Sequence, residues 1–488
     1  MLSDDPPPVR GRACLVVGSP GRVTTEHPLL DELRRAGWDV DPITPDTAYR
    51  LSPDFRVRGF YGDNPAELSD HVFSELNERH HFRRFDFIAF AGRGGLGFRA
   101  VQAKRAGLAF AGVPLAVYLD ANSQRDREAG RRWPSDFADV ETDYLERWAF
   151  DNADVQIVPD DEVTAFARRN HWSVRPDALK VCPPARERTP WAGYQPYSSL
   201  ITLAIAHYNL GSYLPDTLAS LAAQTYANLE VIVIDDGSTD AASVAAFEAM
   251  QAKYPAWQFL RQTNAGIGAT RNRILEIATG EFFIPVDADN LAKPDMIEKF
   301  VHAMTLNPDL AAMSCYFLAF DVDAPNLVPD RFLYALRPVG GPHALAGIRN
   351  VYGDANAIFR TDALRAIGGY GTDRGTSCED WELFVKLVHA GHRLGVVPDH
   401  LFYYRHRPGG FSRSTNWFAN HQRVLRQFAN AGALPPAESL ALWTALLGFH
   451  QQLESRTNAV PPRRHRLADR VYSLLGKPLK WLRRRTGL

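Results

Sequence analysis

The sequence predicts an α/β protein built from two successive parallel-sheet units and a helical, basic C-terminal tail, and three observations carry that reading. Short apolar runs alternate with stretches of helical spacing in two separate series, a Pro-interrupted irregular stretch lies between them, and strand-like runs cease after about residue 430. At 488 residues the chain exceeds what one hydrophobic core usually serves, so two domains and an extension are expected.

The first series opens with an apolar run at Ala13 to Gly18, a helical stretch at Leu29 to Ala36 and a second strand-like run at Trp38 to Ile43. Phe85 to Phe90, Pro114 to Leu119 and Asp154 to Val158 read as further buried strands, with helices at Phe98 to Ala106 and Tyr144 to Asn152. Alternation of this kind gives a parallel sheet covered on both faces. The first domain is therefore set at 1–185. Prolines 183, 184, 190 and 196 mark a connector at 186–198, and a second α/β domain follows at 199–430. The tail, 431–488, interleaves basic residues such as Arg466, Arg470, Lys477 and Arg484 with Leu467, Leu474 and Leu479. That pattern suits a peripheral anionic membrane surface or a solvated helix packed on the protein.

A formal charge of −1 gives the whole molecule no field that would draw nucleic acid. The start of the chain lacks the basic and apolar regions of a secretory signal, and no apolar run is long enough to cross a bilayer, so a cytoplasmic protein is expected. Cys14, Cys182, Cys315 and Cys378 form no CxxC pair and read as reduced, packed thiols.

Chemistry-bearing residues cluster in the second series. The strand Ile201 to Ala206 runs into His207-Tyr208-Asn209, and Leu229 to Ile234 ends in Asp235-Asp236-Gly237-Ser238. Ligands of open parallel sheets sit outside the carboxyl ends of strands, so these clusters should line one crevice, where Tyr208 could stack on a base and Asp236 accept from it. Turn and N-cap chemistry is the competing account of 235–240. Phe282 to Val286 ends in Asp287-Ala288-Asp289; residues two apart in extended chain share a side, so the two carboxylates can meet one hard divalent cation. Surface turns also produce Asp-x-Asp. Cys378-Glu379-Asp380-Trp381 opens a helix whose Phe384, Val385, Leu387 and Val388 face a core. A carboxylate there is either an N-terminal cap or a general base, its pKa lowered by the helix terminus.

Taken in order, Tyr208-Asn209, Gln224-Thr225-Tyr226, Asp235-Asp236-Gly237-Ser238, Asn264-Ala265-Gly266, Arg271-Asn272, Asp287-Ala288-Asp289 and Glu379-Asp380-Trp381 resemble glycosyltransferase family 2, over about residues 197–430. The resemblance implies a GT-A fold and a metal-dependent, inverting transfer of sugar from a nucleotide diphosphate to an acceptor hydroxyl. It implies donor contacts from Ala206, Tyr208, Asn209, Asp236, Gly266, Arg271, Asp287 and Ala288. Mn or Mg would be held by Asp287 and Asp289, and Asp380, beside Glu379, would be the catalytic base. His406, within Tyr403-Tyr404-Arg405-His406-Arg407, stands where several members complete the metal shell; a solvated surface histidine is the alternative. One departure is Ala206-His207, where many relatives have Pro-Thr or a similar pair. The expected partners are a nucleotide sugar, with a UDP-sugar first among them, and a glycan or lipid-linked acceptor in surface polysaccharide, lipopolysaccharide or glycan synthesis, with residues 461–488 at the inner face of the membrane.

Gly92-Arg93-Gly94-Gly95-Leu96-Gly97 follows a strand and precedes a helix, and Asp120 ends the next strand, which on its face matches a dinucleotide fingerprint. Phe98 to Gly107, Pro114 to Asp120 and Tyr144 to Asp161 instead resemble the amino-terminal Rossmann-like half of GT-B glycosyltransferases. That resemblance implies a domain used for acceptor positioning or assembly. Two functional classes remain: the transferase, and a nucleotide-sugar-binding scaffold or sensor without turnover.

Overall fold

The computed structural model describes residues 11–17, 27–44, 65–181, 183, 197–321, 331–407, 410 and 415–431. Among them the strands form two sheets. The first has the order β2-β1-β3-β4-β5, from β1 (Gly11–Val16), β2 (Trp38–Ile43), β3 (Phe87–Ala91), β4 (Leu115–Tyr118) and β5 (Val155–Ile157), and every pairing is parallel. Helices α1 (Pro28–Arg35), α2 (Pro65–Phe82), α3 (Phe98–Arg105), α4 (Ser123–Ala129), α5 (Phe137–Asn152) and α6 (Asp161–Arg169) connect and cover it. Its central strands β3 and β4 are apolar along their whole length because both faces are buried, as in β3 with Phe87, Ile88, Ala89 and Phe90. Asp136 and Asp160 cap α5 and α6, each side chain accepting a backbone N–H of the first turn.

The 18-residue α2 is absent from the sequence reading, and the reason is physical. Its buried face includes Ser69 and Asp70 beside Val72 and Leu76, which breaks the apolar period. Ser69 Oγ donates to the Leu96 carbonyl and accepts the Arg99 N–H, while Asp70 pairs with Arg99 at 2.8 Å. The Gly-rich loop is also explained by packing. A Cβ on Gly95 would meet Leu145 at 2.6 Å, one on Gly97 would meet Phe90 at 2.8 Å, and the Gly94 N–H donates to Glu146 at 2.6 Å. The loop's glycines thus answer to close packing, and its Gly94 N–H is engaged by a carboxylate.

The second sheet runs β10-β14-β11-β13-β9-β6-β7-β8, with β12 (Tyr334–Leu336) also paired to β11. Strands β6 (Ile201–His207), β7 (Leu229–Asp235), β8 (Gln258–Arg261) and β9 (Phe282–Asp287) are parallel, linked by α7 (Leu214–Ala222), α8 (Ala241–Lys253) and α9 (Ile267–Ile277). After β10 (Leu291–Ala292) and α10 (Met296–Leu306) the sheet becomes mixed. β11 (Leu310–Asp321) lies antiparallel to β13 (Ile358–Arg360) and parallel to β14 (Arg393–His406). Two- and three-residue strands such as β10 and β13 carry no readable alternation, so the antiparallel part escapes a sequence reading. Helices α11 (Thr361–Ala366), α12 (Glu379–His389) and α13 (Trp417–Ala431) complete the described residues.

The two sheets are joined through a polar, buried contact. Arg99, fully buried, donates to the Pro338 and Arg337 carbonyls at 3.0 and 3.4 Å while pairing with Asp70, and Tyr316 Oη donates to Asp70 at 3.2 Å. Arg349 pairs with the buried Glu141, and Gly341 lies so close that a Cβ there would meet the Tyr144 ring at 2.6 Å. Of the expected connector 186–198 only residues 197 and 198 are described; the tail beyond residue 431, with its helical and membrane readings, and Cys182 lie outside the described residues. Among the described residues no helix is long and apolar enough to cross a membrane.

Candidate active site

The site is assembled at the carboxyl ends of β6, β7 and β9 and closed by the start of α12 and the end of β14. Strand register does the first part: Ala206 is level with Ile234 on one side and Asp287 on the other, and His207 with Asp235. Tyr208, just past β6, is 44 % exposed. His207 is fully buried and stacks on Phe247 at 6.1 Å; burial lowers its pKa and keeps it neutral, so the residue that departs from the family pattern packs beneath the crevice floor.

Asn209 takes a left-handed conformation, φ 51°, and its Oδ1 accepts the N–H groups of Thr239 and Asp240. It thereby stitches the β6 loop to the β7 loop. Asp235 is not a ligand candidate here, since its carboxylate accepts from Ser238 N and Oγ and pairs with Arg261. Asp236 accepts from Ala265 N and Gly266 N, each at 2.8 Å, and from Gln262 Nε2 at 2.7 Å. Its visible role is to shape the 264–266 loop, at which Gly266, φ 92°, starts α9; one lone pair of Oδ2 remains for a base.

Arg271, 2 % exposed in its side chain, is the centre of the chemistry. Nη2 pairs with Asp287 at 2.6 Å, Nη1 with Glu379 at 2.7 Å, and the guanidinium lies 5.3 Å from the Tyr370 ring centre. The pair joins the end of β9 to the start of α12, segments 92 residues apart in sequence. Burial would lower the Arg271 pKa, but Asp287 and Glu379 together raise it. Asp354, from the loop before β13, and Asp380 add two more acids to the same pocket. The Asp287 side chain is 24 % exposed; burial, then Asp354, Asp289 and Glu379, push its pKa up to about 7 against the pull of Arg271. Asp380 is raised well above the usual carboxylate range by burial and by Glu379 and Asp354, and its Oδ1 accepts the Trp381 N–H at 2.7 Å. This corrects the expectation of a pKa lowered by the helix terminus: burial and like charges win.

Asp289 sits one residue past the buried Ala288. Arg407 Nε pairs with its Oδ2 at 2.6 Å, and Arg405 Nε donates to its carbonyl at 2.9 Å. His406 lies between these arginines at the end of β14, its ring edge-on to Tyr334 at 6.1 Å. Among the described residues no three His, Cys, Asp or Glu side chains are grouped to hold a metal ion by themselves. The donor set nevertheless suits one: Arg271 takes Oδ1 of Asp287 and Arg407 takes Oδ2 of Asp289, so one oxygen of each acid lies outside these pairs, and hard oxygens are what Mg or Mn accept.

Sequence reasoning missed four contributors. Asp354 holds Asn356 through N and Nδ2, and Asn356 Oδ1 accepts the Asp287 N–H at 3.4 Å. Arg405 and Arg407 were visible only as a basic run around His406, and Tyr370 only as an apolar residue after two glycines. A lone Gly-Asp or Tyr carries no signal until the fold brings it to the carboxylates.

The glycosyl transferase family 2 model matches residues 202–368. The uncharacterized glycosyltransferase YibD of Escherichia coli is 39 % identical over 115 residues, 24 % of this chain and 33 % of that protein. The glucosyl-dolichyl phosphate glucuronosyltransferase of Haloferax volcanii is 27 % identical over 184 residues, 36 % of this chain and 57 % of that protein. Among solved structures, Staphylococcus aureus TarS 1–349 in complex with UDP-GlcNAc is similar at 20 % identity and TM-score 0.40, over 51 % of this chain and 71 % of that one. The chain spans about a third of the length of the first curated relatives it matches. Tyr208, Asp236, Arg271, Asp287 and Asp289 fall inside the matched segment and Glu379, Asp380 and His406 beyond it, and the chain carries a glycosyl transferase family 2 domain at residues 202–368.

Proposed function

We propose that the chain is an inverting, metal-assisted glycosyltransferase that moves a sugar from a nucleotide diphosphate to an acceptor hydroxyl. The observation that carries the proposal is the meeting of Asp287, Glu379, Asp380 and Asp354 around Arg271 beside the Asp236-shaped loop. Tyr208 and the remaining lone pair of Asp236 would receive the base, with Ala206, Asn209, Gly266 and Ala288 forming the walls. Asp287 and Asp289, with His406 nearby, would hold a divalent cation, which when bound offsets charge on the diphosphate.

Asp380 would take the proton of the acceptor hydroxyl as the new bond forms at the anomeric carbon in one displacement. A carboxylate whose pKa is raised by burial is a stronger base than a solvated one, and this favours the role over that of a helix cap. Glu379 would act through Arg271, fixing the distance between the donor end of β9 and the base on α12. The excess of carboxylates over arginine is the feature that a nucleotide-sugar scaffold without turnover would not need. A lipid-linked or glycan acceptor in surface polysaccharide synthesis, and peripheral membrane association through 461–488, extend the proposal; the Haloferax relative is named for a lipid-linked acceptor.

The test is a thermal-shift screen of the full chain with UDP-, GDP- and dTDP-sugars, each with and without Mn, followed by release of the nucleoside diphosphate. One nucleotide class should raise the melting temperature, more so with Mn. No shift with any sugar nucleotide would reject the proposal, and a shift without release in the presence of glycan acceptors would favour the scaffold.

A further inference from the structure

Helix α13 lies outside the family-matched segment, yet its side chains converge on the turn that delivers Asp380. Arg423 is 1 % exposed in its side chain, and its guanidinium is bound on every side: Nε pairs with Glu382 of α12 at 2.6 Å, Nη2 donates to the Gly371 carbonyl at 2.6 Å, and Nη1 reaches the Thr376 carbonyl and Oγ1 at 3.4 and 3.3 Å. Three residues earlier, Asn420 Oδ1 accepts the Ser377 N–H at 2.9 Å. The next residue, Cys378, is the N-cap of α12 and stands at φ 69°, ψ 29°, a left-handed conformation that strains a non-glycine residue. No side chain caps the helix there.

A strained turn persists only where its surroundings over-determine it. On the far side Glu379 is fixed by Arg271, and on the near side Arg423 and Asn420 hold Gly371 to Ser377. The same loop reaches the donor side, where Arg374 Nη2 donates to Asn264 Oδ1 at 2.5 Å and Asn264 Nδ2 donates to the Asp236 carbonyl at 3.0 Å. The packing leaves no slack: a Cβ on Gly371 would meet Glu382 at 2.2 Å, and one on Gly268 of α9 would meet the Gly371 carbonyl at 2.1 Å.

We propose that Arg423, assisted by Asn420, is a positioning residue that keeps Cys378 left-handed and so aims Asp380 into the crevice. It rests on the transferase reading for its effect on turnover, while the mechanical part stands on the loop alone. Lysine keeps the charge at 423 but cannot fork between Glu382 and Gly371. Glycine at 378 adopts the left-handed conformation without strain.

The experiment compares the full chain with Arg423→Lys, Cys378→Gly and the double variant, by amide hydrogen exchange and by sugar transfer at saturating donor and acceptor. Arg423→Lys should raise exchange of amides 371–380 about 10-fold or more while β6 to β9 keep their protection. It should lower kcat about 10- to 100-fold. The double variant should recover most of that kcat, whereas Cys378→Gly added to Asp380→Asn should recover none. Unchanged exchange at 371–380, or a rise spread evenly through both sheets, would overturn the proposal, as would a double variant no faster than Arg423→Lys. A wild-type chain that transfers no sugar would instead reject the transferase reading, and the exchange pattern would still decide whether Arg423 holds the turn.

Discussion

Both sheets bring polar residues to the carboxyl ends of their parallel strands, and the two ends differ in what they leave unbalanced. In the first sheet, Glu146 accepts from Gly94 N, Ser123 N and Ser123 Oγ, His27 pairs with Asp120 at 3.3 Å, and Arg93 pairs with Asp126. Among the described residues these strand-end groups are paired with one another. In the second sheet, Asp287, Glu379, Asp354 and Asp380 gather around Arg271, and Asp287 and the neighbouring Asp289 each keep one oxygen outside their arginine pairs. Architecture places polar groups at strand ends in either case. What distinguishes a site is charge that the protein alone does not neutralise, because only there does a ligand gain by arriving.

The contrast is sharpest at Asp380. Asp380→Asn keeps size and the Trp381 N–H contact but cannot accept the acceptor's proton, so turnover should fall by roughly two to four orders of magnitude with donor affinity near wild type. Calorimetry beside a transfer assay measures both. A near-normal rate would make Asp380 a helix cap and leave the second sheet's excess acid without a catalytic use.

A second test asks whether the sheets are energetically separable. Arg99→Ala leaves the Asp70 carboxylate buried without its cation and frees the Arg337 and Pro338 carbonyls, so the chain should lose about 3–5 kcal/mol in urea unfolding. A fragment of residues 197–488 would lack Asp70 and Tyr144. With Tyr316 hydrogen-bonded to Asp70 and Gly341 packed on Tyr144, that fragment is expected to lose its fold. A small change for Arg99→Ala together with a well-folded fragment would restore the simpler two-part picture.

A third prediction concerns the cation. Asp289→Ala removes one hard oxygen pair and releases Arg407, so Mn-dependent tightening of donor binding should drop by about 100-fold while metal-free binding changes little. If both fall equally, Asp289 holds the crevice wall through Arg407 and the cation lies elsewhere.

Much of this was legible in the sequence because it is local. The runs Ile201 to Ala206 and Phe282 to Val286 are apolar enough to declare buried strands, and their polar successors Tyr208-Asn209 and Asp287-Ala288-Asp289 mark the crevice. What was hidden depends on distant partners. Arg271 could be placed near a nucleotide, but not as the brace between Asp287 and Glu379, since that pairing exists only once α9 and α12 are packed. Asp354 and Arg407 carry no pattern of their own, and the pKa of Asp380 shifts opposite to the helix-terminus argument because burial, and then Glu379 and Asp354, raise it. In α2 the polar Asp70 concealed a helix that the ion pair with Arg99 makes possible.

The pH dependence of stability checks the paired strand ends of the first sheet. Burial outweighs the hydrogen bonds from Ser123 and Gly94 and pushes the Glu146 pKa up to about 7, from 4.5 when solvated. A raised acid means that the folded chain holds a proton which the unfolded chain has released. Its contribution is therefore fully present below about pH 4.5 and is lost as pH rises to about 7, by up to about 3 kcal/mol. Glu146→Gln cannot titrate, so its stability should stay flat across that window where the wild type declines, apart from changes due to other groups that both chains share. Sugar transfer should be unaffected at any pH, because Glu146 fastens a loop of the other sheet. Equal pH slopes in the two chains would mean that Glu146 stays ionised, its three donors outweighing burial. A loss of transfer in Glu146→Gln with the fold intact would mean that the first sheet's strand ends serve the reaction, and the contrast between paired strand ends and unbalanced ones would no longer separate structure from function.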